Sequence, residues 1–149
     1  MEHNNVFIAI KVAVASVFGA FGAAFGWLGW LVVGWVACMV IDYVSGTCAA
    51  LRNGEWTSAN AREGIWHKAG MIIVVIAASL LDGVLGVSVN NLNIPFEYTT
   101  LLVPVVLVWY SVTEIGSVLE NASRLGVNIP PVIAKMLAGV ENTIGGDDE

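Results

Sequence analysis

From Val6 to Leu51 the chain is apolar almost without interruption, and only Lys11 and Asp42 carry charge. As one helix those residues would be about 69 Å long, against a bilayer hydrocarbon core of about 30 Å. The run must therefore fold back on itself. The stretch FGAAFGWLGW is the natural place, because Gly22, Gly26 and Gly29 crowd together there and Trp27 and Trp30 suit an interfacial belt. This predicts a first span over about 6–24 and a second over about 28–48. Polar residues dominate 52–64, where Asn53-Gly54 signals a turn and Ser58 suits a helix N-cap. A third apolar run, about 66–85, is followed by VSVNNLNIPFE, which has no basic residue. A fourth covers about 98–118, with Pro104 close enough to its start to be tolerated. Its helix should reach about Arg124, with Gly126 as the residue that ends it. After Pro130-Pro131, residues Val132, Ile133, Met136, Leu137, Val140 and Ile144 recur near helical spacing. They predict a short amphipathic helix lying on the membrane or on a partner, before an acidic, disordered end.

The pattern predicts an all-α membrane protein with about four transmembrane helices and an amphipathic C-terminal helix. Three spans result if the first run is re-entrant or lies on the surface. Residues 1–124 form the membrane domain and 125–149 a cytoplasmic tail. Charge placement orients it: with both termini inside, Lys11, Arg52, Arg62, Lys68, Arg124 and Lys135 all fall on the inner side. Composition agrees, since 57% of residues are hydrophobic and 12% charged, where soluble domains carry about 25% charge. The net charge of −6 says little about partners, because Glu141, Asp147, Asp148 and Glu149 sit in the last nine residues. A nucleic-acid partner is not expected. Met1–Asn5 carries an acid and no Lys or Arg, and the apolar run continues far past Ala15, unlike a cleaved leader.

No catalytic constellation, phosphate loop or metal spacing is present, and His3 and His67 are isolated. The chain is not expected to be an enzyme or to carry a cofactor. Cys38 and Cys48 lie about 15 Å apart on one helix, too far for a disulfide within it. What remains is one ionisable residue near the inner end of each span: Lys11, Asp42, Lys68 and Glu114. Each could extend alone to the headgroups, or the four could form a charged layer, within one chain or between copies. Asp82 lies at the outer end of its span without a basic neighbour, and is expected to meet water or helix-end donors. In the first span, Ala13, Ser16 and Ala20 follow one helical stripe, and Gly19, Gly22 and Gly26 another. Small residues let helices approach closely in lipid, either within the chain or between copies.

Three pieces carry a resemblance. DYVSG supplies Asp42, Tyr43 and Gly46; GIWHKAG supplies Gly64 and Lys68; TEIGSVLENASRLGVNIP supplies Glu114, Ser117, Glu120, Asn121, Gly126 and Pro130. In this order and at these distances they resemble the shared core of the phage-lysis and toxin-secretion holins. The resemblance covers about residues 35–135. Many holins end in a basic soluble tail, and this chain departs from them with GGDDE. The resemblance implies a homo-oligomer that accumulates in the bacterial inner membrane and opens lesions. A cell-wall hydrolase (endolysin) or a toxin then crosses, without necessarily binding the holin directly. The residues alone leave two other readings open: a small ion channel or transporter using Asp42 and Glu114, and a structural subunit of a larger membrane complex.

Overall fold

The computed structural model describes residues 2–92, 95, 97–133, 135, 136 and 139. It has three helices long and apolar enough to cross a membrane: α1 (Glu2–Asn53), α2 (Ser58–Asn91) and α3 (Leu102–Arg124). Among the described residues there is no strand. The chain divides into two compact units, Met1–Val33 and Gly34–Glu149, described separately below.

In the first unit the helical backbone breaks at Gly26, whose φ of 58° and ψ of −154° lie outside helical values. A side chain there would strain the backbone, and glycine avoids the strain. The break falls within the predicted fold-back stretch and divides α1 into arms over 2–25 and 27–53. At about 1.5 Å per residue, each arm is long enough for a hydrocarbon core of about 30 Å. Rings gather around the break: Phe21 lies 4.8 Å from Phe25 and 5.4 Å from Trp30, centroid to centroid. Glycine makes room for them. A Cβ on Gly22 would lie 3.1 Å from Trp30 Nε1, and one on Gly29 would lie 2.4 Å from Phe25 Cβ. Ala13, Ser16, Gly19 and Ala20 are exposed.

The second unit packs the distal part of α1 with α2 and α3. Each helix buries one stripe at helical spacing: Trp35, Met39 and Ala49 on α1 (four and ten apart), Met71, Ala78, Asp82 and Val89 on α2, and Val103, Leu107, Glu114 and Asn121 on α3, the last two stripes at steps of four or seven. Trp35 stacks on Tyr110 at 6.2 Å, and its indole N–H has no hydrogen-bond acceptor among the described residues. The faces turned away are as apolar as the core: Ile73, Leu80, Val84 and Val87 are all exposed. An apolar surface this continuous is a surface for lipid.

The polar stretch after α1 is mostly helical. Only Gly54–Thr57 connects α1 to α2, and residues 58–64 form the first two turns of α2. Ala59, Ala61, Arg62 and Glu63 are compatible with helix, and their polarity reflects an end that clears the apolar zone rather than a loop. The N-cap is Thr57, one residue before the predicted Ser58; its hydroxyl accepts the Asn60 N–H at 3.2 Å. Gly54 (φ 70°) ends α1, with Gly54 N–H donating to the Leu51 carbonyl and Glu55 N–H to that of Ala50. Gly126 (φ 87°) ends α3 in the same way, donating to Ser123, while Val127 donates to Ala122. Of the predicted tail helix, residues 131–133, 135, 136 and 139 are helical; Leu137, Val140, Ile144 and the acidic end lie outside the described residues.

The start of α3 is coupled to α2 by a side chain. It begins at Leu102, later than the apolar pattern predicts, and its own N-cap, Leu101, supplies no side-chain acceptor. Asp82 of α2 does so instead. Its Oδ1 accepts the Tyr98 hydroxyl at 2.5 Å and the N–H groups of Leu101 and Leu102 at 3.3 and 3.1 Å; its Oδ2 accepts Val103 N–H at 2.8 Å. Asp82 thus meets the expected helix-end donors. A carboxylate at a helix N-terminus is favoured by both the unpaired N–H groups and the helix dipole. Asp82→Ala is expected to destabilise the protein by about 2–3 kcal/mol, because it leaves those donors unmatched. Asp82→Asn, which keeps one oxygen acceptor, should lose roughly half as much. Titrating dodecyl-maltoside micelles with SDS and following helical circular dichroism checks this, and indistinguishable midpoints for all three proteins would refute the capping role.

Candidate functional site

The helical register puts Asp42 on α1, Lys68 on α2 and Glu114 on α3 at one level of the second unit, facing inward. Lys68 Nζ donates to Asp42 Oδ2 at 2.9 Å and to Glu114 Oε2 at 2.5 Å. Glu114 is almost fully buried, and the other two side chains are largely so. One ammonium therefore joins all three helices and serves two carboxylates, leaving the group with one net negative charge. Lys11 belongs to the first unit, where its Nζ lies 4.4 Å above the Phe7 ring centroid.

Asn121 completes the network from α3. Its Nδ2 donates to Asp42 Oδ1 at 3.0 Å, to Ser45 Oγ at 3.2 Å and to the Asp42 carbonyl at 3.4 Å. Ser45 Oγ also donates to that carbonyl, at 3.1 Å. Gly46 lets Asn121 come this close: a Cβ there would stand 3.3 Å from Asn121 Nδ2. Both Asp42 oxygens are therefore engaged, one by a cation and one by an amide, which is how a carboxylate is tolerated away from water.

One turn towards the Asn53 end of α1, the helices part around a cavity of about 370 Å³. The three quoted pieces meet on its walls: Asp42, Tyr43 and Gly46 from the first, Gly64 from the second, and Ser117, Glu120 and Asn121 from the third. Ser117 Oγ donates to the Thr113 carbonyl at 3.2 Å. Gly126 and Pro130 do not line the cavity. Gly126 ends α3, and the Pro130 carbonyl accepts the Ile133 N–H at 3.0 Å.

The sequence reading missed the clasp across the cavity mouth. Arg124 Nη2 pairs with Glu55 Oε2 at 2.5 Å, and Arg52 Nη1 donates to the Leu125 carbonyl. Local pattern does not reveal either contact, because the partners lie 69 and 73 positions away. Ser45 was missed as well, although its place one turn after Asp42 was the available signal. Among the described residues no group of three or more His, Cys, Asp or Glu residues could hold a metal ion.

The comparisons with known proteins bear on what this arrangement serves. A family model described as the bacteriophage holin family matches residues 19–142. An uncharacterized protein of Listeria innocua is 28% identical over 142 residues, spanning 95% of this chain and 94% of its own. An uncharacterized 14.9 kDa protein in the nagH 3′ region of Clostridium perfringens is 26% identical over 139 residues, 93% of this chain and 98% of its own. A probable holin of Bacillus phage phi105 is 30% identical over 103 residues, 69% of this chain and 68% of its own. No solved structure matches.

Breaking the shared ammonium tests its structural weight. Lys68→Met leaves two acids facing each other and is expected to cost about 3–5 kcal/mol. Adding Asp42→Asn and Glu114→Gln removes the uncompensated charge and should restore much of that loss. SDS unfolding midpoints in micelles report both changes. A single variant as stable as the parent chain would show that the ion pairs carry no weight.

Proposed function

The chain belongs to the bacteriophage holin family, and from that premise we propose that it is a multi-pass protein of the bacterial inner membrane whose copies assemble and open lesions. A cell-wall hydrolase then reaches its substrate, or in a toxin-exporting setting a toxin leaves. The family match across residues 19–142 carries this reading. The family is non-enzymatic, and a holin needs no reaction chemistry, only helices that insert and associate.

Three features support the details. Three helices are long and apolar enough to cross a membrane, and the break at Gly26 allows α1 to contribute two spans. With four spans and both termini inside, all six Lys and Arg residues fall on the inner side, as the positive-inside rule favours. The exposed small residues Ala13, Ser16, Gly19 and Ala20 offer a face for close contact between helices of neighbouring copies. In an assembly, the lipid-facing apolar surfaces bury one another, and the half-buried Ser111 and exposed Thr113 can line a wet wall, where Asp42 and Glu114 would join them only if their pairing with Lys68 were broken.

Timed expression in a bacterial host, read with a membrane-potential dye, tests the reading. The expected result is a delay, then abrupt depolarisation, with rapid lysis only when a cytoplasmic cell-wall hydrolase is co-expressed. Selective ion flux without cell death would instead identify a channel, and an inert protein a structural subunit. For topology, single cysteines at positions 55 and 90 in a chain lacking Cys38 and Cys48 should react with an impermeant thiol reagent from opposite sides of the membrane. Labelling from one side overturns the four-span arrangement.

A further inference from the structure

We propose that the cavity beside the Asp42–Lys68–Glu114 group is a binding site for an organic ammonium group. At about 370 Å³ it has the volume of roughly a dozen liquid waters, large for a bare ion and suited to a small amine or a headgroup. It belongs to the second unit alone, and lesion formation is not a premise of the proposal.

Charge selects the ligand's sign. Glu55 and Arg124 at the mouth neutralise each other. Of the ionic group only Asp42 lines the cavity; behind it Lys68 is shared by Asp42 and Glu114, so that group keeps one negative charge. Glu120 on the wall adds another and has no cationic partner among the described residues. The cations at the site are thus already committed, and an anion would meet net repulsion. Tyr43 and Trp56 also line the cavity, and aromatic faces with nearby carboxylates attract ammonium groups.

Gly64 lines the cavity, and no neighbouring side chain closes over it. A Cβ on Gly64 would meet nothing within 4 Å, so the helix presents bare backbone to open volume, in contrast with Gly46, which is closed over by Asn121. The three motif pieces therefore bring small, acidic and aromatic residues around a cavity that no side chain of this unit fills.

Two sources share this chemistry: a soluble amine and the headgroup of an aminophospholipid. The full chain in dodecyl-maltoside micelles is titrated with putrescine by calorimetry. In parallel it is equilibrated with phosphatidylethanolamine or phosphatidylglycerol, and retained lipid is counted by native mass spectrometry. Saturable putrescine binding, or selective retention of one phosphatidylethanolamine per chain, is expected, and the responding arm identifies the source. Gly64→Leu fills the volume and should abolish binding. Glu120→Gln should weaken it about threefold to fivefold, as for one exposed charge pair. Helical circular dichroism verifies that each variant is folded; should Gly64→Leu not fold, Glu120→Gln at its exposed position still decides. Binding in neither arm, equal retention of phosphatidylglycerol, or parent-like binding by a folded variant overturns the proposal.

Discussion

The second unit turns on one ammonium group shared by two carboxylates where water is scarce. Lys68, Asp42 and Glu114 would each be costly alone inside an apolar bundle, because desolvation penalises the charged form. With the ammonium 2.9 Å from Asp42 and 2.5 Å from Glu114, they offset that cost only while all three helices keep their register. Rotating or sliding any one helix would strand a charge. In lipid, where hydrophobic burial no longer distinguishes helix–helix from helix–lipid contact, such a requirement supplies specificity that apolar packing cannot. Asn121 extends it by holding the other oxygen of Asp42 from α3.

The ends of the bundle follow the same logic with different chemistry. A helix end has unpaired N–H or carbonyl groups that need partners, and here another helix provides them. Asp82 of α2 receives the N–H groups at the start of α3, while Arg52 of α1 donates to a carbonyl just past its end. The stripes between these polar fixtures consist largely of small or aliphatic residues. Alignment is set by a few directional bonds near the top, middle and bottom, and the remaining surface is left apolar for the membrane.

This division suits a protein whose proposed task is to exist first as separate inserted chains and then as an assembly. The outward faces carry no fixed partner chemistry, while the inward face holds its charges internally paired. The cavity next to the ionic group sits at the junction of the three motif pieces, where helix ends carrying polar residues meet the charged layer. A ligand held there would touch all three helices at once.

Much of this was legible without coordinates. Helix existence follows from apolar run length, the break near Gly26 from a run too long for one crossing, and the end of α3 from Gly126, since each depends on neighbours within a few positions. That Asp82 would meet water or helix-end donors followed from the absence of any basic residue at its end of the span; the packed helices selected the donors. Local signals misplaced the start of α3, because the acceptor that fixes it comes from another helix, and they set the cap of α2 one residue late, at Ser58 instead of Thr57, because either hydroxyl suits a cap. The charged residues near the span ends could be named, but not their partners. Lys68 reaches across 26 positions to Asp42 and 46 to Glu114, and Arg124 across 69 to Glu55. Helical periodicity says which face of a helix a residue occupies. Only the packed bundle decides which faces meet and at what height, because that outcome minimises unpaired charge over all three helices together and is not encoded in any one of them.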